Sequence, residues 1–167
     1  MRIISGKHKG RRLQAPKNLP VRPTTDMAKE GLFNVLNNQY YFDSITIIDL
    51  FSGTGNISYE FASRGCKNIY AIDENYNCIK YIYNTSKELG LDIITYKSDV
   101  YSFLEKTTLK ADIIFADPPY NLEIEKFLDI VEIIFRKKMI SNEGILVIEH
   151  SKNTDLSKHK NHSHDKR

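Results

Sequence analysis

Five stretches of largely apolar sequence, each about the length of a strand, are spaced along this 167-residue chain. They are predicted as strands, at residues 46–51, 68–73, 92–99, 111–120 and 144–150. Between them, apolar residues recur at helical spacing, which predicts helices from a cap at Thr25 or Asp26 through Leu36, from the SGTGN turn to about Gly65, and at residues 74–90, 100–106 and 123–138. Apolar strands that alternate with helices are typical of a parallel sheet covered on both faces. The pattern therefore predicts one doubly wound α/β domain.

The two ends of the chain differ from this central pattern. Residues 2–4 and 12–14 are predicted as short strands joined by a GKHKG turn. Residues 1–21 would then form a basic β-hairpin arm on a domain that spans residues 1–150. Residues 151–167 are polar and poor in apolar side chains, so we expect this tail to be disordered.

Basic residues are concentrated near the N-terminus. Residues 1–29 contain eight lysines and arginines and one acid, a net charge of +7, although the whole chain carries only +3. This asymmetry favours a polyanionic partner. Charge alone is equally compatible with a solvated, mobile terminus, so both interpretations stay open at this stage.

Composition argues against several classes of protein. No apolar run approaches the roughly 20 residues that a membrane helix requires, and the N-terminus lacks the features of a signal peptide. Cys66 and Cys78 have no metal-ligand spacing, and we expect them to be buried, reduced thiols. We therefore expect a cytoplasmic protein that needs no metal.

A glycine-rich turn follows the first predicted strand, in the sequence Asp49-Leu-Phe-Ser-Gly53-Thr-Gly55. The glycines permit a tight turn and a close approach of the backbone to a ligand. Ser58 stands where a dinucleotide-binding GxGxxG pattern needs its third glycine, and the sequence contains no GxxxxGK[ST] P-loop. The Asp49 carboxylate would repel a pyrophosphate, but it suits the cationic amino group of an amino acid.

Acidic residues also end the next two predicted strands. Asp73 is placed to accept hydrogen bonds from ribose hydroxyls, and Asp99 is placed to accept one from an adenine amino group. Together with Asp49, one acid ends each of three consecutive strands, at the sheet edge where open α/β domains bind ligands. The three acids indicate a nucleoside that carries an amino acid.

The sequence Asp117-Pro118-Pro119-Tyr120 ends the fourth predicted strand. Two prolines fix two φ angles and remove two backbone donors, which leaves carbonyl groups free to accept hydrogen bonds. The Asp117 carboxylate and the Pro118 carbonyl can together hold both hydrogens of an exocyclic amine and orient its nitrogen toward an electrophilic methyl group. Tyr120 offers a face on which the target base can stack. These residues predict direct methyl transfer to a base amine, with no covalent enzyme intermediate.

These motifs resemble those of class I methyltransferases that act on amino groups of nucleic acids. More narrowly, four segments resemble the bacterial RsmD-like family, which methylates N2 of a guanine in 16S ribosomal RNA: MRIISGKHKGRRLQAP, RPTTDMAKEGLFNVL, DLFSGTGNISYEFASRG and IIFADPPY. The similarity extends from Met1 to about His150. It implies a Rossmann-like fold, S-adenosylmethionine as the methyl donor, and 16S ribosomal RNA, free or in the small subunit or its assembly intermediate, as the partner.

The resemblance also implies roles for residues by their positions. The donor-binding residues would be Thr24, Asp49, Ser52, Gly53, Gly55, Asp73, Asp99 and Val100. Asp117, Pro118 and Tyr120 would hold the target guanine in the catalytic position. The residues toward the RNA would be Arg2, Lys7, Lys9, Arg11, Arg12, Arg22, Thr25 and Asp26, with the basic arm on phosphates.

The C-terminal sequence departs from the usual class I pattern. Class I methyltransferases usually finish with an antiparallel hairpin that inserts a last strand into the sheet, but no apolar strand follows residue 150. We therefore expect this strand to be missing from the sheet. Nothing in the sequence suggests an obligate dimer, so we expect a monomer.

Two other functions stay open at the level of sequence. An adenine-N6 methyltransferase on DNA or RNA would use the same grip on an exocyclic amine. A non-catalytic RNA-binding or ribosome-assembly factor would retain the fold without the transfer, although the complete DPPY sequence argues against it. A nicotinamide dehydrogenase is disfavoured by the missing third glycine.

Overall fold

The computed structural model describes residues 1–19, 24–151 and 154–163. Within them the strands are β1 (Thr46–Leu50), β2 (Asn68–Asp73), β3 (Ile93–Lys97), β4 (Ala111–Ala116) and β5 (Ile140–Ile148). The α-helices are α1 (Asp26–Leu36), α2 (Asn56–Ser63), α3 (Tyr76–Leu89), α4 (Val100–Lys106) and α5 (Ile124–Arg136), and a 3-10 helix covers Phe42–Ser44. The strand order is β3-β2-β1-β4-β5, and every neighbouring pair is parallel.

Helices cover both faces of this sheet. Successive side chains of a strand point to opposite faces, and they enter two separate apolar clusters. Ile47 of β1 lies in the cluster that contains Phe61 of α2 and residues of α1 and α3. Ile48 lies in the cluster that contains Leu104 of α4 and Ile134 of α5. The predicted doubly wound α/β fold is thus confirmed.

Most predicted elements are present, but several of their bounds need correction. The strand predicted over 111–120 ends at Ala116, since Pro118 and Pro119 have no N–H to donate to a ladder. The predicted strands over 46–51 and 92–99 and helices over 74–90 and 123–138 are each one to three residues too long at one or both ends. The bounds predicted for β2 and α4 agree with the structure.

The predicted start of the last strand also needs correction, because β5 begins at Ile140 and not at residue 144. The polar segment at 141–143 is held on the sheet by Asp112, whose carboxylate accepts hydrogen bonds from the Thr46 amide and the Ser141 hydroxyl. The register between β4 and β5 is irregular at this point, which accommodates the extra residues. No antiparallel strand joins the sheet within the described residues.

The N-terminal segment, defined here as residues 1–13, packs onto the domain. Its predicted hairpin is reduced to a single antiparallel bridge between Arg2 and Arg12. Ile3 is only 1% exposed and belongs to the apolar cluster beside α1 and α2. A Cβ at Gly6 would lie 1.9 Å from the Ser63 carbonyl oxygen, so glycine is required at this contact with α2. The interpretation of this segment as a solvated, mobile terminus is therefore wrong.

A buried ion pair fastens the N-terminal segment to α2. The Glu60 and Lys29 side chains are both 0% exposed, and Lys29 Nζ lies 3.2 Å from Glu60 Oε2. The Glu60 carboxylate also accepts hydrogen bonds from the backbone amides of Ile4 and Ser5, at 2.8 and 3.0 Å. Arg64, one turn further along α2, donates to its other oxygen at 2.9 Å. One carboxylate thus joins three parts of the chain.

Lys29 extends the same network toward the carboxyl edge of the sheet. Its ammonium group donates to the Arg2 carbonyl at 2.6 Å and to Asn56 Oδ1 at 2.8 Å. Asn56 in turn donates through Nδ2 to the Thr24 carbonyl at 3.0 Å. Burial lowers the pKa of Lys29, and the charge of Glu60 opposes that shift. The ammonium therefore depends on these partners for its charged form.

The C-terminal residues contribute little regular structure. Residues 154–163 contain turns, and neither a helix nor a strand is found in that range. The disorder of the tail and the division into residues 1–150 and 151–167 stay predictions. In the part of the chain that the structure describes, no helix has the length and apolar character needed to cross a membrane.

Candidate active site

A cleft of about 640 Å³ opens at the carboxyl ends of β1, β2 and β4. The chain runs outward from β1 through β2 to β3, and then returns to place β4 on the other side of β1. Such a switch in strand order is where open α/β sheets bind ligands. The volume is also in the usual range for a small-molecule site. We therefore take this cleft as the candidate active site.

The glycine-rich turn after β1 forms one wall of the cleft. Phe51, Gly53 and Gly55 all have positive φ, of 58°, 52° and 81°. This conformation is strained for Phe51, and strain of this kind is concentrated at ligand sites. A Cβ at Gly55 would lie 2.9 Å from Ile82 Cγ1, so glycine also permits close packing behind the turn. Ser52 Oγ, on a side chain about nine-tenths buried, has no hydrogen-bond partner among the described residues.

Asp49 lies at the base of the cleft and is 2% exposed. Its Oδ2 accepts a hydrogen bond of 2.6 Å from the Ser58 hydroxyl, which fixes the carboxylate in place. Burial, together with the charges of Asp117 and Asp73, raises the pKa of Asp49 to about 7. A cationic ligand group would stabilise the ionised form of this side chain.

The acids that follow β2 and β3 are held by backbone amides. The two oxygens of Asp73 accept from the amides of Gly53 and Asn75, each at 2.8 Å. Each carboxylate oxygen has a further lone pair, so Asp73 can still accept from a ligand hydroxyl. Asp99 caps α4 by accepting from the Ser102 amide at 2.9 Å, and its side chain is exposed at the cleft. Both acids are therefore oriented before any ligand binds.

Asp117, Pro118 and Tyr120 line the opposite wall, directly after β4. Burial, together with the charge of Glu149, raises the pKa of Asp117 to about 7. Tyr120 is 60% exposed, which leaves its ring accessible at the mouth of the cleft. Its hydroxyl donates to Glu149 Oε1 at 3.5 Å, the upper limit for a hydrogen bond.

The lining of the cleft is strongly acidic. Among the described residues that form it, five carry a carboxylate (Asp49, Asp73, Glu74, Asp99 and Asp117), and Lys126 is the one lysine or arginine. This balance favours a ligand that carries positive charge and disfavours a pyrophosphate. The electrostatics of the cleft thus agree with the interpretation of the Asp49 turn from sequence.

The structure brings most of the predicted donor-site residues together. Ten of the predicted site residues line the cleft: Thr24, Asp49, Ser52, Gly53, Asp73, Asp99, Val100, Asp117, Pro118 and Tyr120. Gly55 is not among the lining residues, but it ends the turn that forms the wall. The role of each residue in binding a ligand stays a prediction.

The residues predicted to face RNA lie elsewhere. The seven that are described and do not line the cleft are Arg2, Lys7, Lys9, Arg11, Arg12, Thr25 and Asp26. Thr25 caps α1 by accepting from the Ala28 amide, and Asp26 pairs with Arg2 at 3.2 Å. Arg11 pairs with Glu88 at 2.6 Å on the exposed surface. Arg22 lies outside the described residues.

Sequence reasoning did not select several polar residues at or beside the cleft, among them Asn56, Lys126 and Glu149. Asn56 and Lys126 line it, and Glu149 follows β5 beside Asp117 and Tyr120. The sequence position of Glu149 could have indicated a site residue, because it stands at the carboxyl end of the fifth strand as Asp73 stands at the end of the second. Asn56 and Lys126 had no such signal, because their positions depend on how α2 and α5 pack.

One family model matches the chain over its whole length. This model, described as Conserved hypothetical protein 95, matches residues 1–167. The chain belongs to this family. YlbH of Bacillus subtilis (strain 168) is 33% identical over 161 residues, which cover 93% of this chain and 85% of YlbH. Ribosomal RNA small subunit methyltransferase D of Buchnera aphidicola subsp. Acyrthosiphon pisum is 31% identical over 162 residues, which cover 95% of this chain and 82% of that protein. The predicted RsmD-like family is confirmed.

Solved structures share the fold. A hypothetical protein of Thermus thermophilus, TTHA0928, has a TM-score of 0.81 at 22% identity, covering 93% of this chain and 89% of that chain. Coclaurine N-methyltransferase, solved with N-methylheliamine and SAH, has a TM-score of 0.61 at 19% identity and covers 77% of this chain and 36% of that chain. The Rossmann-like methyltransferase fold is confirmed, and S-adenosylmethionine as the methyl donor agrees with the methyltransferase names of the relatives and with the SAH in this neighbour.

The cleft of this RsmD-like methyltransferase fits that donor. S-adenosylmethionine carries an ammonium and a sulfonium group, and the cleft offers five carboxylates against a single lysine. The unpartnered Ser52 hydroxyl supplies a hydrogen-bonding group for the ligand at the same wall. The charge and the polar groups of the cleft therefore match a cationic nucleoside.

Proposed function

We propose that this methyltransferase transfers a methyl group from S-adenosylmethionine to the exocyclic N2 of a guanine in 16S ribosomal RNA. The observation that carries the proposal is the placement of Asp117, Pro118 and Tyr120 on one wall of an acidic cleft, in a chain of the RsmD-like family. The name of the Buchnera relative supports ribosomal RNA of the small subunit as the substrate.

The donor is held by the wall that β1, β2 and β3 provide. Asp49 and the turn at Gly53 hold the amino-acid portion, Asp73 accepts from the ribose hydroxyls, and Asp99 accepts from the adenine amino group. Ser52, Val100 and Thr24 complete this wall. When bound, the donor supplies an electrophilic methyl group on a sulfonium.

The target guanine is held by the wall that follows β4. The Asp117 carboxylate accepts one hydrogen of the amine, the Pro118 carbonyl accepts the other, and the Tyr120 ring stacks on the base. Two acceptors orient the nitrogen lone pair toward the methyl group, a positioning effect that lowers the barrier. The N2 nitrogen loses a proton when it accepts the methyl group. The Asp117 carboxylate, with a pKa of about 7, is suited to take this proton. Because N2 is otherwise buried by pairing or stacking, the guanine leaves its stack to enter.

RNA contacts are assigned to the basic residues of the N-terminal segment. Among the residues that the structure describes, no ion pair involves Lys7, Lys9 or Arg12, and all three are exposed. Exposed cations that are not engaged by acids are available to phosphate groups. These residues would provide affinity for the RNA and orient it, while the residues of the cleft carry out the methyl transfer.

The affinity for S-adenosylmethionine is expected to increase with pH. The ionised Asp49 attracts the ammonium group of the donor, and burial raises the pKa of Asp49 to about 7. Deprotonation between roughly pH 5.5 and 7.5 should therefore strengthen binding by about tenfold or more. Isothermal titration calorimetry over this interval measures the change. Asp49→Asn should bind weakly with a flat profile, whereas Asp117→Asn should retain the increase.

The stability of the ligand-free protein, in contrast to its affinity for the donor, should decrease as the pH rises. Because the pKa of Asp49 is raised from 3.8 to about 7, the folded state holds the proton more tightly than the unfolded chain does. The stability gained from this proton is greatest below about pH 4 and is lost as the pH rises through 7. Urea denaturation of the wild type and of Asp49→Asn should therefore diverge over this interval. Identical pH profiles of both proteins would contradict the assignment.

The proposed function is tested by methyl transfer to small ribosomal subunits that lack the modification. Labelled S-adenosylmethionine is supplied, and the RNA is digested to nucleosides and separated. We expect the label in N2-methylguanosine of 16S ribosomal RNA. Label in N6-methyladenosine would overturn the choice of base, and intact donor binding with no transfer would indicate a non-catalytic RNA-binding protein.

A further inference from the structure

Glu149 continues the pairing of β4 with β5 one residue beyond the strand. Ala116 is in register with Ile148, and the Glu149 amide donates to the Ala116 carbonyl at 2.9 Å. Asp117 and Glu149 are therefore the next pair in register. Paired residues of parallel strands point to the same face of a sheet, and neighbouring strands lie about 4.8 Å apart. The register thus places Glu149 beside Asp117, which lines the cleft where the base is proposed to bind.

The electrostatics and the contact with Tyr120 agree with this placement. The charge of Glu149 raises the pKa of Asp117, as expected for two neighbouring carboxylates. Tyr120 donates to Glu149 Oε1, so the side chain of Glu149 is directed toward the proposed stacking residue. Glu149 is partly exposed, which leaves it accessible to a bound base.

The edge of guanine that carries N2 presents two kinds of donor side by side. The exocyclic amine has two N–H groups, and the adjacent ring nitrogen N1 has one. Asp117 and the Pro118 carbonyl account for the two amine hydrogens, which leaves N1–H without an acceptor. Buried donors without partners are costly, so a second carboxylate beside Asp117 is chemically suited to this hydrogen.

We infer that Glu149 determines the specificity for guanine by accepting a hydrogen bond from N1–H of the target base. This inference rests on the proposed function, because it assumes that N2 is the atom methylated. Adenine presents a bare lone pair at N1 beside its exocyclic amine. A carboxylate at that position repels the lone pair, so the same residue disfavours adenine in the cleft.

The test compares guanine with 2-aminopurine, which has the N2 amine but a lone pair at N1. Each is placed at the methylated position of 16S ribosomal RNA by splinted ligation, and the RNA is reconstituted into small subunits. For wild type, we expect kcat/KM for guanine to exceed that for 2-aminopurine by on the order of tenfold to a hundredfold. Glu149→Gln and Glu149→Ala should each bring this ratio about tenfold closer to one.

Two further variants separate specificity from structural support. Glu143→Gln changes an acid at the other end of β5, beyond the cleft lining, and should keep the wild-type ratio. Tyr120→Phe removes the hydroxyl that contacts Glu149 but retains the ring, and it should also keep the ratio. If Tyr120→Phe lowers the ratio of kcat/KM for guanine to that for 2-aminopurine as much as Glu149→Gln does, the inference is wrong. Glu149 would then act only through Tyr120.

The outcome also distinguishes this inference from the proposed function. Donor binding by calorimetry and thermal melting establish that each variant is folded. If wild type methylates guanine N2 and the ratio is unchanged by both Glu149 substitutions, the inference is wrong and the proposed function stands. If the label appears on adenine N6, both are wrong.

Discussion

Asp117→Ala is expected to lower turnover by about a thousandfold, while the affinity for S-adenosylmethionine is retained. The carboxylate follows β4 and lines the same cleft as the turn and the acids that are proposed to hold the donor. Its removal leaves one hydrogen of the target amine without an acceptor, removes the group that takes the proton, and lets the nitrogen rotate away from the methyl group. The loss should therefore be in kcat.

Single-turnover methyl transfer and calorimetric binding of the donor measure the two quantities separately. Asp117→Asn keeps a carbonyl acceptor without the charge, so its turnover should lie between those of wild type and Asp117→Ala. Asp129→Ala, on the exposed surface of α5, is the matched control and should be fully active. If Asp117→Ala loses donor binding to the same extent as turnover, Asp117 belongs to the donor wall and its assigned role is wrong.

The residues on the donor side of the cleft were predictable because the topology concentrates them. Once strands and helices alternate and the sheet is parallel, the carboxyl ends of the strands meet at one edge. Asp49, Asp73, Asp99 and Asp117 each lie near or at the carboxyl end of a predicted strand, so their convergence required no knowledge of packing. All four line the same cleft in the structure.

Contacts between distant segments could not be predicted in the same way. Glu60 lies in a helix that is buried along its whole length, and nothing local indicates that its partners are Lys29 and the amides of Ile4 and Ser5. Sequence periodicity describes which face of an element is apolar, but it does not specify which charge a buried carboxylate meets. The docking of the N-terminal segment was missed for this reason.

The error at the start of β5 has a related origin. Residues 141–143 are polar and read as a loop, yet the side chain of Asp112 on the neighbouring strand holds them to the sheet. A tertiary hydrogen bond here overrides the local preference. Glu149, at the other end of the same strand, lies inside the predicted strand over 144–150, and only the true end of β5 at Ile148 shows that it stands at the carboxyl edge.

The buried network also connects the N-terminal segment to the cleft. Lys29 bonds the Arg2 carbonyl and Asn56, and Asn56 bonds the carbonyl of Thr24, at the wall of the cleft. The Lys29 side chain thus contacts both the N-terminal segment, which is proposed to bind RNA, and Asn56 in the lining of the cleft, which is proposed to bind the donor. Loss of this network should release the N-terminal segment first, because the amides of Ile4 and Ser5 donate their hydrogen bonds to Glu60.

Glu60→Ala is expected to lower the free energy of unfolding by about 3–5 kcal/mol, because it leaves the ammonium of Lys29 buried without its carboxylate. This is a large part of the total for a domain, which is about 5–15 kcal/mol. Urea denaturation measures the change, and amide hydrogen exchange should show lost protection at Ile4 and Ser5. Glu105→Ala breaks the exposed pair with Arg136 and should cost less than about 1 kcal/mol.

The destabilisation by Glu60→Ala could come from an uncompensated buried charge or from a loss of packing. Replacing both Lys29 and Glu60 distinguishes these two causes. In Lys29→Met with Glu60→Gln, the buried ammonium and its carboxylate are both removed, the glutamine oxygen can still accept from Arg64, and the volumes are nearly kept. The double variant should therefore be more stable than Glu60→Ala, even though it contains more changes. If it is less stable, the cost arises from the hydrogen bonds of the N-terminal segment and not from the buried ammonium. If Glu60→Ala is no more destabilising than Glu105→Ala, the ion pair does not fasten the segment, and its docking depends on Ile3 and the close contact at Gly6.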